Sequence, residues 1–416
     1  MSEANILNVP NARRIGALVV MSMCLVPARA RAQVAPPPPE DDQSRPRIRV
    51  RGLSVNPTVA LSNIGVDSNV FNTVVDPKPD FTGTLSPALD AWVRAGRARL
   101  AVRGRNDLVY FQKYSSERSV DGGFGARLEV PLNRLTPWAE GGSYSGRQRA
   151  GYEIDLRTRR NVNDVGFGLD YRVGDKTSVG FGLHRNETSW NGDAVFFGNS
   201  LKQYLDRRGD SATLSYRQDL TVLTTFVVET SAARDRFDFS PERDTDSMRG
   251  TVGFDLKTRA LIDGSARVGF RRFDVVGGGS ESFKGAVVRA DLGYVVRGVA
   301  RLSVQTERDT NYSYERDYPY YVQTGVIGTV TQRVANSWDA QARVGRQNLA
   351  YRTLVGSTTA TVGRTDKVDQ FGVGIGYHLN STVRVGFNVD KYRRGSPVQR
   401  RDYAAYRVGA SVTYAQ

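Results

Sequence analysis

From Leu53 to Tyr414 the chain alternates apolar and polar side chains with a period of two residues. Val165, Phe167, Leu169, Tyr171 and Val173 are interleaved with Gly166, Gly168, Asp170 and Arg172. Val179, Phe181 and Leu183 repeat the pattern against Gly180, Gly182 and His184, and Val383, Val385, Phe387 and Val389 repeat it against Arg384, Gly386, Asn388 and Asp390. A period of two places each set on one face of a strand, whereas a helix would need 3.6. The chain is therefore expected to be all-β. Hydrophobic residues make up 39%, too few for a helical membrane protein. They suffice for a transmembrane barrel, in which only alternate residues meet lipid.

Short polar turns recur near Gly96-Arg97, Leu132-Asn133, Gly174-Asp175, Gln218-Asp219, Leu261-Asp263, Arg297-Gly298, Ala335-Asn336 and Asn380-Ser381. Their spacing of about 40 residues makes the repeated unit a hairpin plus a longer connection. Thr188–Tyr204, Arg236–Asp246 and Ser357–Lys367 are such longer connections. Short turns on one side and long loops on the other are the pattern of outer-membrane barrels. The expected architecture is a transmembrane antiparallel up-and-down barrel of about 18 strands (16–18) over 52–416. An even count puts both strand ends on the short-turn, periplasmic side. Trp92, Tyr110, Trp138, Tyr171, Trp190, Tyr294, Trp338, Tyr377 and Tyr414 fall near strand ends, as interfacial girdles require. Alternation alone also permits a soluble propeller or secreted adhesin, with the polar face outward.

Arg13 and Arg14 precede the apolar run Ile15–Val26, and small residues follow at Ala28, Ala30 and Ala32. These are the three parts of a secretory signal, so 1–32 is expected to be a signal peptide cleaved at Ala30 or Ala32. The run is shorter than the roughly 20 residues a spanning helix needs. The single cysteine, Cys24, lies inside it, and Met23 before it is too large for a lipoprotein site. The Pro-rich stretch 33–51 reads as a flexible periplasmic linker. Four arginines against Glu3 in the first 32 residues account for +3 of the formal +15, leaving +12. The remaining basic residues are scattered singly along strands, which weighs against a nucleic-acid stripe.

Leu53–Phe71, with Pro57 early and Asp67-Ser68-Asn69-Val70-Phe71 at its end, resembles the β-barrel porin family of the second type. Arg401-Asp402-Tyr403 through Tyr406-Arg407-Val408-Gly409 is similar to that family's closing hairpin. The resemblance implies an outer-membrane barrel associated with exopolysaccharide export and assembly, and it supplies no catalytic or ligand residues. Outer-membrane barrels usually end on an aromatic residue that the barrel-assembly machinery reads. This chain ends Thr413-Tyr414-Ala415-Gln416, so Tyr414 would serve from two positions inside.

Alternation puts Arg103, Arg105, Arg127, Arg267, Arg271, Arg289, Arg301, Arg343, Arg384 and Arg407 on the polar, lumen-facing side, with Asp170, Asp255, Asp291, Glu307 and Asp390. An excess of fixed positive charge would concentrate anions, either small solutes or an acidic polysaccharide. The alternative is that these arginines pair with carboxylates on neighbouring strands and hold a polar wall together. Tyr312, Tyr314, Tyr318, Tyr320 and Tyr321 cluster in one outer loop, as saccharide-stacking rings or as loop packing. His184 and His378 are the only histidines and lack metal-ligand spacing, and Gly277-Gly278-Gly279 lacks the lysine of a phosphate-binding loop. No enzyme, cofactor or metal is expected. The expected partners are outer-membrane lipid and lipopolysaccharide, the assembly machinery, and anionic polysaccharide or small anionic solutes. The three readings are an exopolysaccharide-export pore or accessory, a general diffusion porin, and a non-conducting structural or adhesion barrel.

Overall fold

A chain of alternating strands that buries no internal apolar face has to satisfy its backbone by pairing every edge, and this one does so by closing on itself. The computed structural model describes residues 48–414, apart from 51, 258, 259, 278 and 358–360. The signal peptide, Cys24, most of the linker, Gly278 and the final two residues lie outside the described residues.

Eighteen long strands form the wall: β1 Leu53–Asp67, β2 Asp80–Ala95, β3 Ala98–Phe111, β4 Ser119–Glu129, β5 Leu135–Gly146 and β6 Arg160–Gly174. They continue as β7 Thr177–Trp190, β8 Arg207–Asp219, β9 Thr224–Phe237, β10 Thr245–Leu256, β11 Ile262–Val275 and β12 Phe283–Val296. The last six are β13 Ala300–Tyr312, β14 Tyr320–Arg333, β15 Trp338–Arg352, β16 Thr365–His378, β17 Val383–Gly395 and β18 Tyr403–Tyr414. Each pairs antiparallel with its successor, and β1 pairs with β18 from Val59↔Tyr414 to Asp67↔Arg407 to close the barrel. At that seam the register shifts between Leu61 and Ile64, where Asn63 takes φ +54. Gly65 then passes so close to β18 that a Cβ would lie 2.0 Å from the Val408 carbonyl oxygen.

Eight short turns define one rim and nine longer connections the other. Arg297 and Gly298 both have positive φ, and the Val299 N–H donates to the Val296 carbonyl at 3.1 Å to close the turn. Two turns sit elsewhere than the polarity suggested. β8 runs through Asp219, whose Oδ1 accepts from Thr225 Oγ1, and the turn is Leu220–Leu223. Asp263 lies inside β11, ion-paired to Arg301, and the preceding strand ends at Leu256. In both cases a polar residue that reads as a turn is a lumen-facing strand residue. The last part of the segment expected to be linker, Ile48–Val50, is a short strand on Leu53–Val55.

One face of each strand is apolar and exposed: Val165, Phe167 and Leu169 on β6, Val268 and Phe270 on β11, Val385 and Phe387 on β17. This face meets lipid. Tyr110, Tyr171, Tyr294, Trp338, Tyr377 and Tyr414 also point outward, and Trp338 packs on Tyr377 at 4.9 Å. Trp92 and Trp190 do not belong to a girdle, being only 6% exposed on the inner side. Trp138 also turns inward, over Gly168 and Gly182, where a Cβ would lie 2.5 and 3.0 Å from its ring. The glycines of the polar face thus make room for a lumenal indole.

Candidate functional site: the lumen and its cap

The inner wall is a lattice of arginine–carboxylate pairs. Arg103 bonds Asp90 at 2.7 Å, Arg105 approaches Asp107 at 3.4 Å, and Arg127 reaches Glu129 and Glu140, both at 2.7 Å. Arg267 pairs with Asp255 and Arg301 with Asp263, both at 2.6 Å, and Arg271 with Asp309 at 2.7 Å. Arg384 holds Asp339 at 2.6 Å and Arg407 holds Asp67 at 2.5 Å. Eight of the ten arginines singled out by alternation are thus neutralised by a carboxylate, most on a neighbouring strand or one strand further. Arg343 lines the lumen beside Asp390. Arg289 is exposed and makes no ion pair among the described residues, although Glu307 stands opposite it in register.

The long loops do not stand up from the rim; they meet across it. Loop 147–159 leaves β5 and returns to β6, yet Ser313 Oγ, between β13 and β14, donates to its Glu153 at 2.5 Å. Those strand pairs are eight apart in a ring of eighteen, so the loops span close to a full diameter. Ile154 packs there against Trp190, Phe196, Leu201, Leu205 and Tyr314, which come from loops 191–206 and 313–319 and the end of β7. The five-residue helix Leu201–Leu205, capped by Ser200 Oγ on Gln203 N, drives Leu201 and Leu205 into this core.

Beside the apolar core lies a buried ionic knot. Asp366, at the start of β16, accepts from Arg364 at 3.2 Å, Arg394 at 2.7 Å and Ser396 at 2.7 Å. Glu315 accepts from Arg364 at 2.7 Å and Arg401 at 2.8 Å. Arg394 also donates to the carbonyl of Tyr152 at 2.8 Å, and Arg401 to that of Glu153 at 2.5 Å. Asp155 takes Tyr403 Oη at 2.7 Å and Asn72 Nδ2 at 2.9 Å. Arg364, Arg394, Arg401 and Asp366 are all 3% exposed or less, so each charge depends on its partners. Burial pushes the Glu153 carboxyl up to about 7, against the pull of Arg401.

The tyrosine cluster belongs to this cap, which corrects the idea of sugar-stacking rings. Tyr314 is 1% exposed against Phe196, and Tyr320 is 1% exposed against Phe273. Tyr318 and Tyr321 both pack on Tyr351, and Tyr312 is wedged between Phe237 and Phe273. Their faces are taken by other rings and by the Arg364 and Arg401 guanidinium groups, so none is open to a saccharide. Most residues of the knot escape alternation. Glu153, Glu315, Arg364 and Arg401 lie in loops, where a charged residue ordinarily marks solvent. Only Arg394 and Asp366 carried a signal, as inward positions of β17 and β16.

Below the cap a polar cavity of about 320 Å³ runs along the wall formed by β14–β18 and β1–β3. It starts among Asp339, His378, Thr382 and Arg384 at the short-turn rim. It passes Arg343, Asp390, Arg407 and Arg105, and ends under Arg149, Tyr152 and Asp155 of loop 147–159.

An eighteen-stranded closed wall, apolar outside and ion-paired inside, with one turn rim and one loop rim, is the architecture of an outer-membrane porin. The sequence model of the family described as Putative beta-barrel porin 2 matches residues 48–416. The chain belongs to that family. It is an outer-membrane β-barrel of a porin-like kind, a class of channels rather than enzymes. Among solved structures it is similar to a BenF-like porin from Pseudomonas fluorescens Pf-5, at 11% identity over 88% of this chain and 100% of that one, with a TM-score of 0.49. It is also similar to OpdQ from Pseudomonas aeruginosa, at 12% identity over 87% of this chain and 97% of that one, with a TM-score of 0.46. The siderophore receptor PirA from Pseudomonas aeruginosa matches at 9% identity, 89% and 81% coverage and a TM-score of 0.41. No curated protein sequence matches the chain.

Proposed function

We propose that this barrel is a diffusion porin for small polar solutes, which travel along the lateral passage and cross the loop cap at its edge. The observation that carries the reading is the polar cavity of about 320 Å³ running from the short-turn rim to the underside of loop 147–159. A wall whose arginines are mostly paired concentrates anions only weakly, so selectivity falls to Arg289 and to the arginines under the cap. The short-turn rim and both strand ends face the periplasm in this reading, and the long loops face outward.

Single-channel conductance of the purified full chain in a planar bilayer under a salt gradient tests it. A small, steady current with weak anion preference is expected. Removal of 150–156 is expected to raise the conductance several-fold. Absence of current from protein shown to be folded and inserted sinks the reading and leaves a closed scaffold.

Export of an acidic surface polysaccharide, which the family resemblance implies, is a second reading. The feature that favours it is that the mouth is closed by loops alone, over an uninterrupted wall. A polymer would pass only with the cap swung out. Block of the current by a polyanionic saccharide in a cap-released variant, and not in the intact protein, would support it.

A further inference from the structure

The lipid-facing wall carries an amphipathic groove of about 870 Å³ high on β6–β11, next to the long-loop rim. Its shape follows from register. Leu183, Ala212, Ala232 and Met248 are direct cross-strand neighbours, and the two alanines form a low floor between larger side chains. The next row toward the membrane centre repeats this, with Thr230 and Gly250 between Leu214 and Phe270. One row toward the rim the chemistry changes to Arg185, Asp210, Arg234, Asp246 and Asp274.

In that charged row the carboxylates beside Arg234 are engaged elsewhere. Asp210 holds Arg185 at 2.6 Å, and Asp246 holds Arg236 at 2.7 Å. Arg234 is exposed and makes no ion pair among the described residues. Arg208 pairs with Glu187 at 2.8 Å and Arg272 with Asp274 at 2.6 Å. The patch therefore holds five arginines and Lys284, which faces Arg272, against five carboxylates, the fifth being Asp244 at 3.6 Å from Arg236. That leaves a net positive charge, opposite in sign to the charge of about −1.5 to −2 on a phosphomonoester. A planar guanidinium with a free fork matches phosphate oxygens in pairs. The apolar floor beneath has the width of one strand row on each side and suits an acyl chain.

We propose that this groove binds one molecule of a phosphorylated, multiply acylated glycolipid of the outer leaflet, with its phosphate on Arg234 and an acyl chain over Ala212 and Ala232. The assignment of leaflet rests on the orientation given above, with the long loops outward.

The test is native mass spectrometry of the full chain, delipidated in an uncharged detergent and exposed to bisphosphorylated lipid A, dephosphorylated lipid A or phosphatidylglycerol. The wild type is expected to retain one bisphosphorylated lipid A. Arg234→Gln and Ala232→Leu, which fills the floor, are each expected to reduce retention at least tenfold. Both sites face outward, and heat-modifiable gel mobility establishes that the variants are folded. Equal retention by Arg234→Gln and wild type, or equal retention of the dephosphorylated lipid, overturns the proposal. Arg234-dependent preference for phosphatidylglycerol also overturns the glycolipid assignment. Labelling of a cysteine placed in loop 238–244 on whole cells reports the orientation separately, so that failure of the one is distinguished from failure of the other.

Discussion

The two rims of this barrel obey different rules. At the short-turn rim the chain folds back within a few residues, and partners such as Trp338 and Tyr377 meet through adjacent strands. At the long-loop rim Glu153 meets Ser313 across a sequence separation of 160 residues, and Arg401 meets the Glu153 carbonyl across 248. The short-turn side is held by ladder pairing and by lipid, which is tolerant of apolar substitution. The loop side is held by a desolvated core and a charge knot, in which every member needs the others. The difference teaches that the wall and the cap are separate stability problems, solved by local alternation and by long-range complementarity respectively.

The comparison is broken hardest at the knot. Arg401→Ala leaves Glu315 with Arg364 as its single buried guanidinium and removes the donor to the Glu153 carbonyl, and is expected to cost the cap roughly 3–5 kcal/mol. Amide exchange in 147–159 and 313–319 should rise steeply while β5–β12 exchange stays unchanged, and conductance should increase. Uniform loosening of the wall would show that cap and barrel are one cooperative unit.

A smaller effect follows from Glu153. Its carboxyl is raised to about 7 in the folded cap, from 4.5 in water, so the folded state holds the proton over that interval. The stabilisation is therefore complete below about 4.5 and is lost as the pH rises to about 7. Cap opening, followed by exchange corrected for intrinsic rates, should be on the order of 50-fold more frequent at pH 8 than at pH 5. Glu153→Gln should abolish the dependence; persistence would place the titrating group elsewhere in the knot.

In the wall, Arg127→Ala should cost only about 1 kcal/mol in urea unfolding, because Glu129 and Glu140 remain in contact with lumenal water. Arg289→Gln should leave stability nearly unchanged and shift reversal potential toward cations, since its charge is not cancelled locally. An equal shift from Arg103→Ala would mean that the paired arginines also govern permeation. At the outer surface an effect of similar size is expected, where Trp338→Ala removes the ring contact with Tyr377 for about 0.5–1.5 kcal/mol.

How far the sequence carried differs between the same two regions. The period of two places Arg103, Arg127 and Arg271 opposite Leu108, Leu128 and Phe270, which is the face each occupies. It could not say which carboxylate each arginine meets, because that depends on register, and register depends on turn lengths such as that of 220–223. It misplaced Trp92, Trp138 and Trp190, since an aromatic near a strand end reads as a girdle whichever way it points. The tyrosines at 312–321 read equally well as a sugar platform, because composition does not reveal what covers a ring.

The sequence by itself determined that this chain is a strand-built membrane barrel with one turn rim and one loop rim. Alternation is a local property, and a backbone in lipid has no other way to satisfy its hydrogen bonds than closure. Only the tertiary structure decided that the loops fold inward, that Arg364, Arg394 and Arg401 lock them over the mouth, and that a cavity remains along one wall. Those outcomes depend on side chains brought together from strands eight apart around the ring, and no periodicity along the chain encodes a distance across it.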